Sequence, residues 1–210
     1  MVDRVISTAF VNNHDYERLF RVEKNDVVVD VGAHVGIFSL SVAAKAKKVI
    51  AIECEPRNLT RLSGNIKRLN LNNVLIVDKA VWNCKSTLPL HLSNDSESHT
   101  LIEDWAITQS KCNPSVDYRG QIQVKTDTLD GILDDLGIVK IDFLKMDVEG
   151  AEIEAIEGAK ETLTNTSKIA IACYHERNGE KTMQKTIQML SNYGYQLYSL
   201  DGIVYGTKLG

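Results

Sequence analysis

Short apolar runs alternate with amphipathic stretches along most of the chain. Residues 27–29, 49–52 and 74–77 are β-branched or aliphatic throughout, and each run is followed by an acid: Asp30, Glu53 or Asp78. Runs that are apolar on both faces suit parallel strands covered by helices on either side. The stretches between them supply the cover. Residues 37–47 place Ile37, Leu40 and Ala44 on one side of a helix, and residues 58–69 follow Pro56, which suits a helix's first turn. The rhythm resumes later as helix 129–136, strand 142–146, helix 152–162, strand 169–173 and helix 182–192. Two last runs, 196–200 and 203–206, flank Asp201-Gly202, a dipeptide that favours a tight hairpin. The pattern predicts an α/β fold with a doubly wound, mostly parallel sheet and an antiparallel C-terminal hairpin strand.

Between residues 83 and 126 the alternation fails. Residues 88–92 read as a strand that Pro89 confines to an edge, and residues 93–99 are small and polar. A short helix is expected over 103–108 and an exposed strand over 121–125, with the remainder through Gly120 as a long loop. Long loops in compact domains are commonly functional or disordered. A length of 210 residues fits one domain, with an N-terminal helical extension over about residues 1–25.

Composition removes several function classes. With 43% hydrophobic and 25% charged residues the chain is an ordinary globular protein, and its net charge of -4 disfavours a dedicated nucleic-acid binder. No run approaches the length of a membrane span, so no membrane partner is expected. Cys54, Cys84, Cys112 and Cys173 are widely separated, without a Cys-x-x-Cys pair, and no secretory leader is visible. Reduced structural thiols and a cytoplasmic location are expected. His34, His91, His99 and His175 show no paired-ligand spacing, so no metal is expected.

The candidate chemistry gathers at strand ends. Asp30-Val31-Gly32-Ala33-His34-Val35-Gly36 joins a strand to a helix, and its glycines permit a sharp turn and close approach to a ligand. Its Gly-x-x-x-Gly spacing is a poor match to a dinucleotide fingerprint, and Asp30 is suited to a cationic amino group. A purely structural turn stays open for this segment alone. Glu53, about 20 residues on, is placed to accept hydrogen bonds from ribose hydroxyls. Asp78 is a candidate for an adenine amino group. Asp147, Glu149 and Glu152 cross from a strand into a helix, where Asp147 would face a reacting centre and Glu149 or Glu152 would favour the helix dipole. His175, after the next strand, is a candidate base, and Lys145 needs a carboxylate partner if buried.

These segments together resemble the FkbM family of class I S-adenosylmethionine-dependent methyltransferases. The resemblance is carried by residues 28–36, by Ala51-Ile52-Glu53, by Thr128-Leu129-Asp130, and most specifically by Leu144-Lys145-Met146-Asp147-Val148-Glu149-Gly150-Ala151-Glu152. It runs from about residue 27 to 205 and implies a seven-stranded sheet whose last strand is antiparallel. It also implies S-adenosyl-L-methionine as cofactor and methyl transfer to a hydroxyl of a carbohydrate or other small molecule, with the acceptor recognised in the insertion over about residues 83–126, where the chain departs from the family around residues 93–120. On that basis the cofactor-binding set is Asp30, Gly32, Ala33, His34, Gly36, Glu53, Asp78 and Asp147. The catalytic set is Asp147, Glu149 and His175. An RNA or tRNA methyltransferase and a non-catalytic S-adenosylmethionine-binding module are the competing expectations, with a nicotinamide oxidoreductase further off.

Overall fold

A computed structural model describes residues 15–113 and 115–208. Seven strands form the main sheet: β1 (Val27–Val31), β2 (Lys48–Glu53), β3 (Val74–Asp78), β7 (Ile141–Met146), β8 (Thr166–Ala172), β11 (Gln196–Leu200) and β12 (Ile203–Thr207). Their spatial order is β11-β12-β8-β7-β1-β2-β3. All the pairings from β8 to β3 are parallel, and β12 runs antiparallel to both β8 and β11. The Asp-Gly turn sits where the hairpin was expected, with Asp201 and Gly202 both at positive φ.

Alternation along the strands divides the core. Val29, Val31, Leu144 and Ile169 pack with α4 (Leu129–Asp135), α5 (Glu152–Glu157), α6 (Lys160–Thr164) and α7 (Met183–Leu190). Val28, Val49, Phe143 and Ala170 face the other way, toward α1 (Ile37–Ala43) and the 16–22 segment, while α2 (Pro56–Arg68) covers Ala51 and Val74. The central strands are almost wholly buried. Each fully buried aliphatic side chain there contributes about 1.5–3 kcal/mol. A sheet held this firmly makes a rigid platform for groups at its strand ends.

The insertion departs from expectation. Residues 80–127 hold a second sheet of β4 (Ala80–Val81), β6 (Tyr118–Asp127) and β5 (Ser86–Ser93), in the order β4-β6-β5; the expected strands 88–92 and 121–125 lie within β5 and β6, and β6 begins inside the expected loop. Pro89 lies on β5, an edge strand, as its missing N–H requires. Between β5 and β6 runs α3 (Glu103–Cys112), longer than the short helix expected. Helix 152–162 is interrupted at Gly158, whose carbonyl accepts from the Asp130 amide, and helix 37–47 stops at Ala43. The expected N-terminal helical extension lies largely outside the described residues, and residues 15–25 are turns and bends. A two-strand hairpin, β9 (Glu176–Arg177) and β10 (Glu180–Lys181), follows β8.

Candidate active site

The register aligns the carboxyl ends of the parallel strands. Asp30 pairs with Ala51 on one side and Lys145 on the other, and Lys145 pairs with Ala170. In open α/β sheets this edge is where ligands bind. The turn after β1 presses against its neighbours. A Cβ on Gly32 (φ +74°) would stand 1.8 Å from the Asp147 carbonyl oxygen, and one on Gly36 (φ +95°) 2.5 Å from Leu62 Cδ1. Both positions demand glycine for packing as well as for dihedral angle.

The turn's amides are used within the protein. Gly32 and Ala33 donate to the Ile52 carbonyl at 3.0 and 2.9 Å, Gly36 to the Ala33 carbonyl, and His34 to Glu53 Oε2 at 2.7 Å. A pyrophosphate cradle would aim such donors at its ligand, so this arrangement speaks against a dinucleotide. Glu53 is held by two further amides, those of Cys54 and Glu55, both at 2.8 Å to Oε1. Burial pushes its carboxyl pKa up, against the pull of those hydrogen bonds. Glu53 lines a cavity of about 80 Å³ whose other walls include Ile52, Ala80, Val81, Leu90 and Leu101. Residues 94–99 lie over it: Asn58 Nδ2 donates to the Ser96 carbonyl at 3.2 Å, and His34 Nε2 is 2.9 Å from Ser96 Oγ. Burial, aided by Lys145, lowers the His34 pKa to about 4. At neutral pH this histidine is uncharged, so its 3.9 Å approach to Glu97 is not then an ion pair.

Two of the expected cofactor residues are placed elsewhere. Asp30 is wholly buried, with Oδ1 3.0 Å from Lys145 Nζ and Oδ2 accepting from Ser39 at 2.7 Å. Its cationic partner is therefore internal, and Lys145 in turn donates to the Gly32 carbonyl at 2.7 Å. Asp30 braces the floor of the site from below, where the sequence suited it to a ligand's cationic amino group. Asp78 is exposed at the end of β3 and lines neither cavity, whereas its neighbour Lys79 does, bonded to Asp127 at 2.8 Å. Gly36 shapes the turn without lining either cavity, while Gly32, Ala33 and His34 line at least one.

A larger cavity, of about 430 Å³, opens beside the first and is lined by Tyr16, Phe38, Lys145 and Tyr174 among others. Gly32, His34, Glu97, Asp147 and Glu149 face both. Here the acids converge. Tyr16 donates to Asp147 Oδ2 at 2.6 Å, Tyr174 Oη lies 3.3 Å from the same oxygen, and Trp105 Nε1 donates to Glu149 Oε2 at 3.2 Å. Glu149 has φ +51°, a strained conformation for a side chain of this size, and Thr100 Oγ1 donates to its carbonyl at 2.6 Å. Burial raises the Glu149 pKa, with His175 opposing.

His175 lies beneath these carboxylates and does not reach the cavities, a correction to its expected place as a base on the crevice edge. It is 0% exposed, with Nδ1 2.9 Å from Glu152 Oε1 and Nε2 3.4 Å from Glu149 Oε1 and 3.6 Å from Asp147 Oδ1. Burial opposes a charge on the imidazole, but Glu152 and Glu149 outweigh it and hold the pKa well above the usual value. Tyr16, Trp105 and Tyr174 were not singled out in the sequence, since an isolated aromatic carries no motif.

A profile of the Methyltransferase FkbM domain matches residues 30–197. The chain belongs to the FkbM methyltransferase family. It is 33% identical over 157 residues to 2-O-methyltransferase NoeI of Sinorhizobium fredii, covering 69% of this chain and 62% of that protein. It is 24% identical over 153 residues to hexuronic acid methyltransferase AglP of Haloferax volcanii, covering 73% of this chain and 58% of that protein. The chain thus spans less than two thirds of the length of these relatives. Among solved structures, an FkbM methyltransferase from Methylobacillus flagellatus superposes with a TM-score of 0.61 at 21% identity, covering 90% of this chain and 45% of that one. That likeness establishes the class I methyltransferase fold, as the sequence pattern and the family resemblance predicted. No helix among the described residues is long and apolar enough to cross a membrane.

Proposed function

We propose that this FkbM-family chain transfers a methyl group from S-adenosyl-L-methionine to a hydroxyl of a carbohydrate or similar small molecule. One observation carries the reading: two adjoining cavities at the strand ends share Asp147 and Glu149, and Glu53 lines one of them. The residues present fit the cofactor. Glu53, with both oxygens fixed by amides, accepts from ribose hydroxyls, and the aliphatic walls around it suit a purine. Asp147 and Glu149 give the shared wall the negative charge that a sulfonium requires.

When bound, the cofactor supplies an electrophilic methyl carbon. The chain's own work is to place the acceptor oxygen in line with that carbon and to receive a proton. Asp147 or Glu149 would take the proton of the acceptor hydroxyl, and the bound cofactor would supply the methyl group and keep the bonding pair on its sulfur. His175 positions the two carboxylates from below. The names borne by the relatives, a 2-O-methyltransferase and a hexuronic acid methyltransferase, support a hydroxylated or sugar acceptor. Cys54, Cys84 and Cys173 are free thiols, which fits a reducing compartment such as the cytoplasm.

Calorimetric titration with S-adenosylmethionine and S-adenosylhomocysteine tests the cofactor claim. Both are expected to bind, and Glu53→Gln is expected to weaken each at least tenfold, since hydrogen bonds to a charged group contribute about 1.5–3 kcal/mol. A folded protein that binds neither would overturn the reading.

A further inference from the structure

We propose that Asp147, Glu149 and His175 form a site for a divalent cation of the Mn²⁺ or Mg²⁺ kind, open to the larger cavity. One carboxylate oxygen from each acid and one imidazole nitrogen lie within 4.8 Å of one another. The inference uses the proposed methyl transfer only to give the ion a purpose; the site itself rests on geometry.

Three observations converge on it. First, His175 Nε2 is fully buried and makes no hydrogen bond, although two carboxylate oxygens stand 3.4 and 3.6 Å away. Such separations are longer than the usual N–H···O distance of about 2.9–3.0 Å and match the edge between neighbouring ligands on a cation with bonds of about 2.1–2.5 Å. Second, an outer layer fixes each candidate ligand. Nδ1 of His175 abuts Glu152 Oε1 at 2.9 Å, which leaves Nε2 facing the other two acids, where a binding cation would displace the imidazolium proton. Trp105 holds Glu149 by Oε2 and Tyr16 holds Asp147 by Oδ2, so that Oε1 and Oδ1 turn toward the imidazole. A carboxylate behind a ligating histidine is the usual partner in metal sites. Third, the strained backbone of Glu149, pinned through its carbonyl by Thr100, aims the carboxylate at this point.

Two carboxylates with one imidazole suit Mn²⁺ better than an all-oxygen site would, with Mg²⁺ the weaker alternative. Asp147 and Glu149 both border the larger cavity, so a hydroxyl oxygen placed there is within reach of the ion. A cation holding such an oxygen lowers its pKa.

Protein stripped with EDTA and titrated with MnCl₂, with free Mn²⁺ read by electron paramagnetic resonance, tests the site without cofactor or turnover. One Mn²⁺ per chain is expected. Asp147→Asn should weaken it about 100-fold, and Trp105→Phe, which removes the hydrogen bond to Glu149 Oε2 and keeps a ring beside His175, about tenfold, the range found for outer-layer partners. No retained Mn²⁺ would overturn the proposal and leave His175 as an imidazolium paired with its acids. Binding that survives Asp147→Asn and Trp105→Phe unchanged would overturn it equally. Because S-adenosylmethionine titration is separate, loss of the metal site leaves the methyltransferase reading standing, and the reverse holds too.

Discussion

The two halves of the strand edge solve opposite problems. Around β1 and β2, both carboxylates named above find partners inside the protein: Glu53 takes three amides, and Asp30 takes Lys145 and Ser39. Around β7 and β8, three carboxylates crowd one imidazole, and burial opposes the charge on both Glu149 and His175. The first half is a finished surface that can recognise a ligand's shape and hydroxyls without moving. The second holds charge that an incoming cation, sulfonium or proton would relieve. Recognition and chemistry are thus separated by a few ångströms and by how completely each half satisfies itself.

The sharpest way to break that contrast is to neutralise one acid in the unrelieved half. Asp147→Asn keeps the shape and both tyrosine contacts, yet removes a charge that both cavities share. The maximal methylation rate is expected to fall about 100-fold or more, the usual contribution of a positioned proton acceptor. Thermal stability should hold or rise, because a buried like-charge repulsion is lost. A rate within about threefold of the wild type would show that the half does no chemistry through this residue.

The finished half should instead answer in stability. Gly32→Ala forces a Cβ into the Asp147 carbonyl, with the backbone at φ +74°. A loss of about 3 kcal/mol is expected, or roughly 6–12 °C in Tm for a chain of this size. Gly120→Ala separates the two causes, since its φ is +92° but nothing lies within 4 Å of its Cβ. That substitution should cost only about 1 kcal/mol. Equal losses in the two variants would mean that dihedral strain, not the close approach, sets the cost.

Between the halves lies the segment over the smaller cavity. Asn58→Ala removes the bond to the Ser96 carbonyl from a side chain that is 3% exposed. One neutral hydrogen bond contributes about 1 kcal/mol, so cofactor affinity should weaken about fivefold while the maximal rate stays near wild type. A drop in rate at saturating cofactor would instead tie the 94–99 segment to the acid cluster.

Much of the first half was legible in the sequence, and less of the second. Fully apolar strands, the glycine turn and Glu53 at a strand end follow from local patterning. So does the Asp-Gly hairpin. Asp30 was misplaced because its partner sits 115 residues away on β7, and only the strand order 7-1-2 brings Lys145 beside it. Asp78 looked like Glu53 by local rule, yet β3 is the sheet edge and its end is open to solvent. Within the insertion, 88–92 and 121–125 read as strands, but their pairing into one sheet spans positions as far apart as Ala80 and Thr126, which no local period marks. His175 was found, but its burial under Glu149 depends on the bend at φ +51°, which no residue type announces.

His34 joins the two halves, and its titration gives the finest test of their difference. Its amide serves Glu53, its ring meets Ser96, and its pKa is lowered to about 4, chiefly by burial and also by Lys145, His99 and Arg61, with Asp95 opposing. The unfolded chain, titrating near 6.5, binds a proton that the folded chain refuses between about pH 6.5 and 4. Stability from this residue is therefore fully present above pH 6.5, declines as the pH falls, and levels off below about 4. His34→Asn keeps a residue that tolerates the left-handed backbone (φ +52°) and cannot titrate. Subtracting its denaturant-unfolding curves from those of the wild type at each pH isolates the effect from the acids around His175. A difference that grows smoothly from pH 6.5 down to 4 is expected. A flat difference would mean that the 94–99 segment opens on protonation and lets the ring reach water, which would make this segment the softest part of an otherwise rigid edge.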